Sequence, residues 1–309
     1  MSFTANRRWR KKLPNSTLKK AFESGKFAIT AEAGPLKGTS IEEIKEVAEA
    51  LKGKVTAVNV TDQQSSVMRL GSLATSYLLK GWGLEPIYQV TCRDRNRIAL
   101  QSDLLSASVL GIDNVVSLTG DLPGSGDHPM AKPVYDLDSV QLLNAIKGLN
   151  EGHDMVGNEL KGKTDFFAGA VVNPGADTEA SFELQIIKME KKIAAGAKFF
   201  QTQAIFDPTA FEAFVKRVEQ YKVPILAGVI PLKNAGMARF MNKNVAGINV
   251  PAAQIDRIAK AEDKVKTGVE MCAELMKALK PMCQGIHIMA IGMEKKVPEI
   301  IATAGMSVN

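Results

Sequence analysis

Short runs of apolar and β-branched residues recur along the chain at 27–33, 55–61, 86–92, 114–119, 165–172, 198–203, 223–230 and 285–291. Their length and composition read as strands. Between them, apolar residues return every three or four positions, the period of a helix with one buried face. Ile41, Ile44, Val47 and Leu51 form one such stripe, with Ser40 and Glu43 at capping-box spacing. Phe182, Ile186, Met189 and Ile193 form another, ending near Gly196. Asp207 and Pro208 predict an N-cap and a first helical position ahead of Phe211, Phe214, Val215 and Val218. Eight alternations of strand and helix imply parallel strands with right-handed crossovers, and the count favours a closed (β/α)8 TIM barrel over a doubly wound sheet. The stretch 231–263 is longer than one crossover needs and predicts an extra helix.

Composition fits one such unit. The chain has 309 residues, of which 45% are hydrophobic, enough for a sizeable core, and barrels of this class run to about 250 residues as a single domain. A basic segment with a leading helix over 1–26 and a barrel domain over 27–309 are therefore expected, with no Pro-, Gly- or Ser-rich linker dividing them. The net charge of +6 owes much to Arg7, Arg8, Arg10, Lys11 and Lys12. This start reads as a solvated tail, with contact to an anionic partner as the alternative; later helices mix Lys with Glu, and nucleic acid is not an expected partner. The first 26 residues lack the apolar core of a signal peptide and no apolar run is long enough to span a bilayer. With Cys92, Cys272 and Cys283 far apart, a reducing cytoplasm is the expected location. Three thiols also fall short of the four that an ordinary iron-sulfur cluster takes. Cys272 shares a helical face with Val265, Val269 and Leu279 and reads as core.

Reacting groups in such a barrel sit at the carboxyl ends of the strands. That rule selects Glu32, the segment 59–63, Gln89 with 92–94, the loop 119–124, the segment 173–175 and Gln203. Glu32 stands among small apolar neighbours; burial disfavours a charged carboxylate and suits general acid work, and a strand-end salt bridge is the bland alternative. The loop holding Gly120, Asp121, Gly124 and Gly126 lets backbone approach a flat or phosphorylated ligand. It matches neither a Walker nor a dinucleotide pattern, and an ordinary turn would also explain it. Lys188, Lys191 and Lys192 fall on one helical face, as phosphate holders or as a solvated lysine face. His128, His153 and His287 lack metal-ligand spacing, and no G-x-S-x-G serine is present. No metal is predicted, so redox chemistry needs a bound organic cofactor.

Taken in order, 31–35 (Ala-Glu-Ala-Gly-Pro), 89–92 (Gln-Val-Thr-Cys), 118–123 (Leu-Thr-Gly-Asp-Leu-Pro) and Gln203 with Phe206 and Asp207 resemble the methylenetetrahydrofolate reductase family from about residue 15 to 305. The resemblance implies a flavin-binding barrel that reduces 5,10-methylenetetrahydrofolate to 5-methyltetrahydrofolate. It implies that Glu32 assists opening of the folate imidazolidine ring, that Asp121 sits between flavin and pterin, and that Gln203 hydrogen-bonds the folate. It puts Asn59, Gln89, Thr119, Gly120, Asp121, Tyr135, Ala176, Lys188, Lys191 and Lys192 at flavin-contacting positions. FAD is favoured by family precedent, with FMN as the alternative.

Four places depart from the family pattern. Thr119 stands where many members have Arg, and Gln89 where they have His. Ala204 and Ile205 replace aromatics after Gln203, and the last strand ends Ala290-Ile291-Gly292-Met293 without Asn-Arg. These features look more like short reductases that work with an iron-sulfur, zinc-containing partner subunit, which implies electrons delivered by that partner rather than directly from NAD(P)H. A homo-oligomer is a further expectation. A flavin barrel dehydrogenase acting on an amino acid such as proline, and a non-catalytic scaffold subunit, are the other readings.

Overall fold

The computed structural model describes residues 16–175, 178–245 and 247–308. In chain order the elements are α1 (Thr17–Glu23), β1 (Ala28–Ala33), α2 (Glu42–Leu51), β2 (Ala57–Val60), α3 (Ser72–Gly81), β3 (Pro86–Thr91), α4 (Arg97–Val109), β4 (Asn114–Leu118), α5 (Ser139–Glu151) and β5 (Phe167–Val172). They continue with α6 (Glu179–Ala194), β6 (Phe199–Ala204), α7 (Pro208–Val218), β7 (Ile225–Val229), α8 (Ala235–Asn244), α9 (Ala252–Lys260), α10 (Lys264–Leu279), β8 (Gly285–Ile288) and α11 (Val297–Thr303). Each strand pairs in parallel with the next, and β8 closes onto β1. This is the expected (β/α)8 barrel, with seven strands inside the runs that the apolar pattern marked and β6 extending one residue past its run, to Ala204.

Successive strand side chains point to opposite faces, and the apolar residues divide accordingly. Ile29, Ala31, Val58, Tyr88, Val115, Ala170, Phe200, Ala227 and Ile286 pack outward in one cluster with the helix stripes. Their alternates Ala28, Ala57, Ile87, Val116, Phe199 and Leu226 form a separate cluster with Leu18 and Ala21 of α1. The leading helix thus lies across the amino-terminal end of the barrel. Ser16 caps it and donates to Asn114 Oδ1 at 2.6 Å, while Glu85 accepts from the Leu18 amide at 3.0 Å. The ring of Phe199 fills the barrel beside Phe167, stacked at 5.0 Å. A Cβ at Gly169 would lie 2.3 Å from Phe199 Cζ, so only glycine fits there.

Three local expectations change. Ser40 does not cap α2: the helix begins one residue after Ile41, whose side chain can make no cap, and its first turn relies on Glu42 and Glu43 near the positive helix end. The stretch after β7 holds two extra helices, α8 and α9, which form their own apolar cluster with Phe206, Ile230 and Leu232. Val265 is 43% exposed near the start of α10, whereas Val269, Cys272 and Leu279 are core. Asp207 does cap α7, accepting from the Thr209 amide at 2.8 Å. Among the described residues, no helix is long and apolar enough to cross a membrane.

Candidate active site

One step up the barrel from the apolar layer, the inward positions turn polar. Thr30, Asn59, Gln89, Gln201 and His287 are all buried there. Asn59 Oδ1 accepts from Gln201 Nε2 at 2.9 Å and from Gln89 Nε2 at 3.3 Å. Asn59 Nδ2 lies 3.2 Å from His287 Nδ1, and Thr30 Oγ1 lies 3.0 Å from the same nitrogen. His287 Nε2 faces Glu32 Oε1 at 3.4 Å. Glu32 itself is 9% exposed at the carboxyl end of β1. Buried polar groups of this kind are stable only when partnered, so the layer forms one connected network.

Above it the loops are tied to one another. Tyr135 Oη donates to the carbonyls of Gly120 at 3.2 Å and Asp121 at 2.9 Å. Arg93, 2% exposed, donates to the Asp121 carbonyl at 3.4 Å, to the Gln63 carbonyl at 3.2 Å and to the Asp94 carboxylate at 2.7 Å. Gly120 has φ 94°, and a Cβ there would meet Arg93 Cβ at 3.0 Å. The glycine therefore lets this loop settle on β3, leaving the Asp121 side chain exposed toward solvent. Asp127 joins three loops, pairing with Lys37 and His128 and accepting from the Met68 amide at 3.0 Å. These contacts hold its carboxyl well below the usual range, the Lys37 hydrogen bond contributing most.

Asp62, 4% exposed, supports the end of β3. It accepts from the Thr91 amide at 2.9 Å, the Thr91 hydroxyl at 3.0 Å and the Ser72 hydroxyl at 3.1 Å, and pairs with Arg95. Cys92 beside it is buried, which pushes its thiol up to about 12 and leaves it protonated and unreactive at neutral pH.

On the β4–β6 side, Lys192 is half-buried and donates to the Val171 carbonyl at 2.7 Å. Burial, and then repulsion from Lys188, lower its ammonium to about 8, while Asp138 at the start of α5 opposes the shift. Two repelling ammonium groups, one of them desolvated, suit an anion such as a cofactor phosphate. Lys191 is exposed. Thr119 Oγ1 accepts from the Ser139 amide at 3.2 Å and so helps start α5. Gln203 is half-buried at the end of β6. A cleft of about 900 Å³ opens from the next residues, Ala204 to Asp207, toward Pro174, Phe182, 247–249 and Pro251. Ala176 lies outside the described residues. Among the described residues, no group of three or more His, Cys, Asp or Glu is arranged to hold a metal ion.

The structure thus gathers Glu32, Asn59 and Gln89 into one network and links Gly120, Asp121 and Tyr135 in a second cluster. His287, Thr30 and Gln201 are the functional candidates that the sequence did not single out, while Arg93 and Asp62 lie in the selected segments 92–94 and 59–63 without a role assigned to them. Their signal was present in part: Thr30 and His287 are polar residues between apolar ones in their strands, and Thr30 lies two residues from Glu32, so it shares the inward face.

The profile of the methylenetetrahydrofolate reductase family matches residues 17–305. A probable methylenetetrahydrofolate reductase (NADPH) of Caenorhabditis elegans is 25% identical over 244 residues, covering 76% of this chain and 34% of its own length. Methylenetetrahydrofolate reductase 2 of Schizosaccharomyces pombe is 24% identical over 231 residues, covering 70% of this chain and 35% of its own. The chain therefore spans about a third of the length of these two relatives. In fold it is similar to a solved protein of Clostridium thermocellum described as binding two copies of 5-methyl-5,6,7,8-tetrahydrofolic acid, with a TM-score of 0.64, 18% identity, and coverage of 94% of this chain and 98% of that one.

Proposed function

Because the chain belongs to the methylenetetrahydrofolate reductase family, we propose that it reduces 5,10-methylenetetrahydrofolate to 5-methyltetrahydrofolate with a bound flavin. The observation that carries this reading is the Glu32 carboxyl, held at the mouth of the barrel by a buried network, with the Gly120-Asp121 loop tied down on the same face. The methyltetrahydrofolate bound by the Clostridium thermocellum neighbour is in keeping with it.

In this reading Glu32 is the general acid. Its O–H bond breaks as the leaving ring nitrogen of the substrate gains the proton, and the imidazolidine opens to an iminium. Asp121, exposed on a loop whose backbone is held by Tyr135 and Arg93, accepts hydrogen bonds from the pterin. Gln203 binds the same ring from the β6 side. Lys188 and Lys192 hold the cofactor phosphate, with Asn59, Gln89, Thr119, Gly120, Tyr135 and Lys191 as further contacts. The flavin, when bound, supplies the hydride that reduces the iminium carbon. FAD is favoured over FMN, as in the family.

In this reading Thr119 and Gln89 alter the flavin contacts, and Ala204, Ile205 and the 290–293 segment alter the side from which a nicotinamide would approach. We infer that electrons come from an iron-sulfur, zinc-containing partner subunit. Mass identification of the flavin released from purified protein, then anaerobic mixing of the photoreduced protein with methylenetetrahydrofolate, tests the assignment. Folate-dependent return of flavin absorbance is expected; no response rejects the reductase reading in favour of a dehydrogenase for another substrate, and colourless protein favours a scaffold. If the isolated chain oxidised NADH at a rate matching its folate turnover, the partner would be unnecessary.

A further inference from the structure

Two neighbouring helices turn an apolar face away from the barrel. On α4, Leu100, Leu104 and Ala107 are buried, while Ile98, Leu105 and Val109 are exposed on the opposite side, Ile98 by 75%. With exposed Ser102 they fall at spacings of four, three and four, a straight stripe along the helix. Beside it, α3 exposes Ala74 and Tyr77. Exposed Val156 follows Met155, whose amide bonds Gln101 of α4 at 2.9 Å. Charge is scarce here. α3 carries only Lys80, paired with Asp113, and α4 only Arg97 and Asp103, paired with Asp136 and Arg95. By contrast, α2 carries Glu42, Glu43, Lys45, Glu46 and Glu49. Exposed apolar side chains gathered on one face mark an interaction surface.

We propose that this face binds a second copy of the chain, with α4 lying antiparallel to its mate across a two-fold axis. The order of the stripe is the reason. Its spacing reads the same from either end, so an axis midway between Ser102 and Leu105 sets Ile98 against Val109 of the partner subunit and Ser102 against the partner's Leu105. A large side chain then meets a small one on each side of the axis, which lets the helices approach closely. Every contact also occurs twice, the condition for an isologous interface. Charge does not oppose the pairing, because the charged residues of both helices are already ion-paired within the chain. Side by side, α3, α4 and the Val156 loop, each about 10 Å wide and the longest about 20 Å long, cover roughly 600 Å² per copy. Two copies together reach about 1,200 Å², the lower end of specific interfaces, and a dimer of micromolar stability follows.

Sedimentation equilibrium of the full-length protein at roughly 1–100 μM reads the association. The wild type should have the mass of two chains. Leu105→Glu, which puts a carboxylate on each side of the axis, should weaken association about 100-fold and give the mass of one. An unchanged circular dichroism spectrum shows that this exposed substitution leaves the barrel folded, and Val109→Lys repeats the test at a second exposed position. The direction of packing has its own readout. Ile98→Lys alone should dissociate the dimer, and Ile98→Lys combined with Val109→Glu should restore it, because antiparallel helices set each new ammonium against the new carboxylate of the other copy. Parallel helices would set ammonium against ammonium. A wild type of single-chain mass throughout this range overturns the proposal, even if the face then captures a different protein. So does a dimer that Leu105→Glu leaves intact, or a double variant no more associated than Ile98→Lys. None of these outcomes depends on the reductase reading.

Discussion

The phenol of Tyr135 donates to the main-chain carbonyl of Asp121 at 2.9 Å, and Tyr135 takes a left-handed backbone conformation (φ 41°) to do so. A residue foreseen as a cofactor contact is thus also the strut of the loop that carries Asp121. Tyr135→Phe removes one hydrogen bond worth about 1 kcal/mol and should lower kcat/KM for methylenetetrahydrofolate about fivefold. Steady-state assays with the natural electron source or a dye donor read this, and an unchanged kcat/KM would leave Arg93 as the sufficient support.

Glu32→Gln keeps the shape of the strand end and can still accept from His287, but it cannot deliver a proton. Folate-dependent flavin reoxidation should fall by about 10²–10⁴, with flavin content unaltered. Single-turnover absorbance on the reduced protein separates the two; a variant of wild-type rate would remove Glu32 from the chemistry.

Lys192 should impose a pH dependence. Its folded-state value of about 8, set by burial and then Lys188, lies below the ordinary 10.5. Between these values the unfolded chain binds more protons, so this group makes the flavin-free protein more stable as pH rises from about 8 to 10.5. Lys192→Met should flatten that slope and, after loss of the bond to Val171, stabilise the flavin-free protein by roughly 1–2 kcal/mol at pH 7. Urea unfolding at pH 7 and 9.5 measures both. The same variant should bind flavin more weakly, because it lacks the ammonium that pairs with a phosphate there.

Gly169→Ala should destabilise the barrel by about 1–3 kcal/mol through overpacking against Phe199. Adding Phe199→Leu should recover part of the loss, as residues in direct contact are not additive. Urea midpoints of the two single variants and the double variant test this, and strict additivity would mean that the strand shifts to accommodate the methyl group.

The barrel was legible because its determinants are local and repeated. Period two in the strands, period three to four in the helices and the Asp207-Pro208 start are properties of neighbouring residues, and eight repeats leave one simple closure. Glu32, Asn59, Gln89 and Gly120-Asp121 were legible for a related reason, since the carboxyl end of each strand is a position in the sequence. Ser40 misled because a capping pattern states only what can form, and the chain starts α2 further on.

Along the chain His287 is an isolated histidine, with 255 residues separating it from Glu32. Only closure of β8 onto β1 sets Thr30 opposite His287 and brings the ring to the carboxylate. Arg93 shows the same limit, since its meaning comes from carbonyls on two other loops. The sequence by itself determined the elements, their inward faces and the end of the barrel where chemistry belongs. Which polar groups meet was decided by the tertiary structure, because hydrogen bonds act over about 3 Å and register alone brings such distant residues that close.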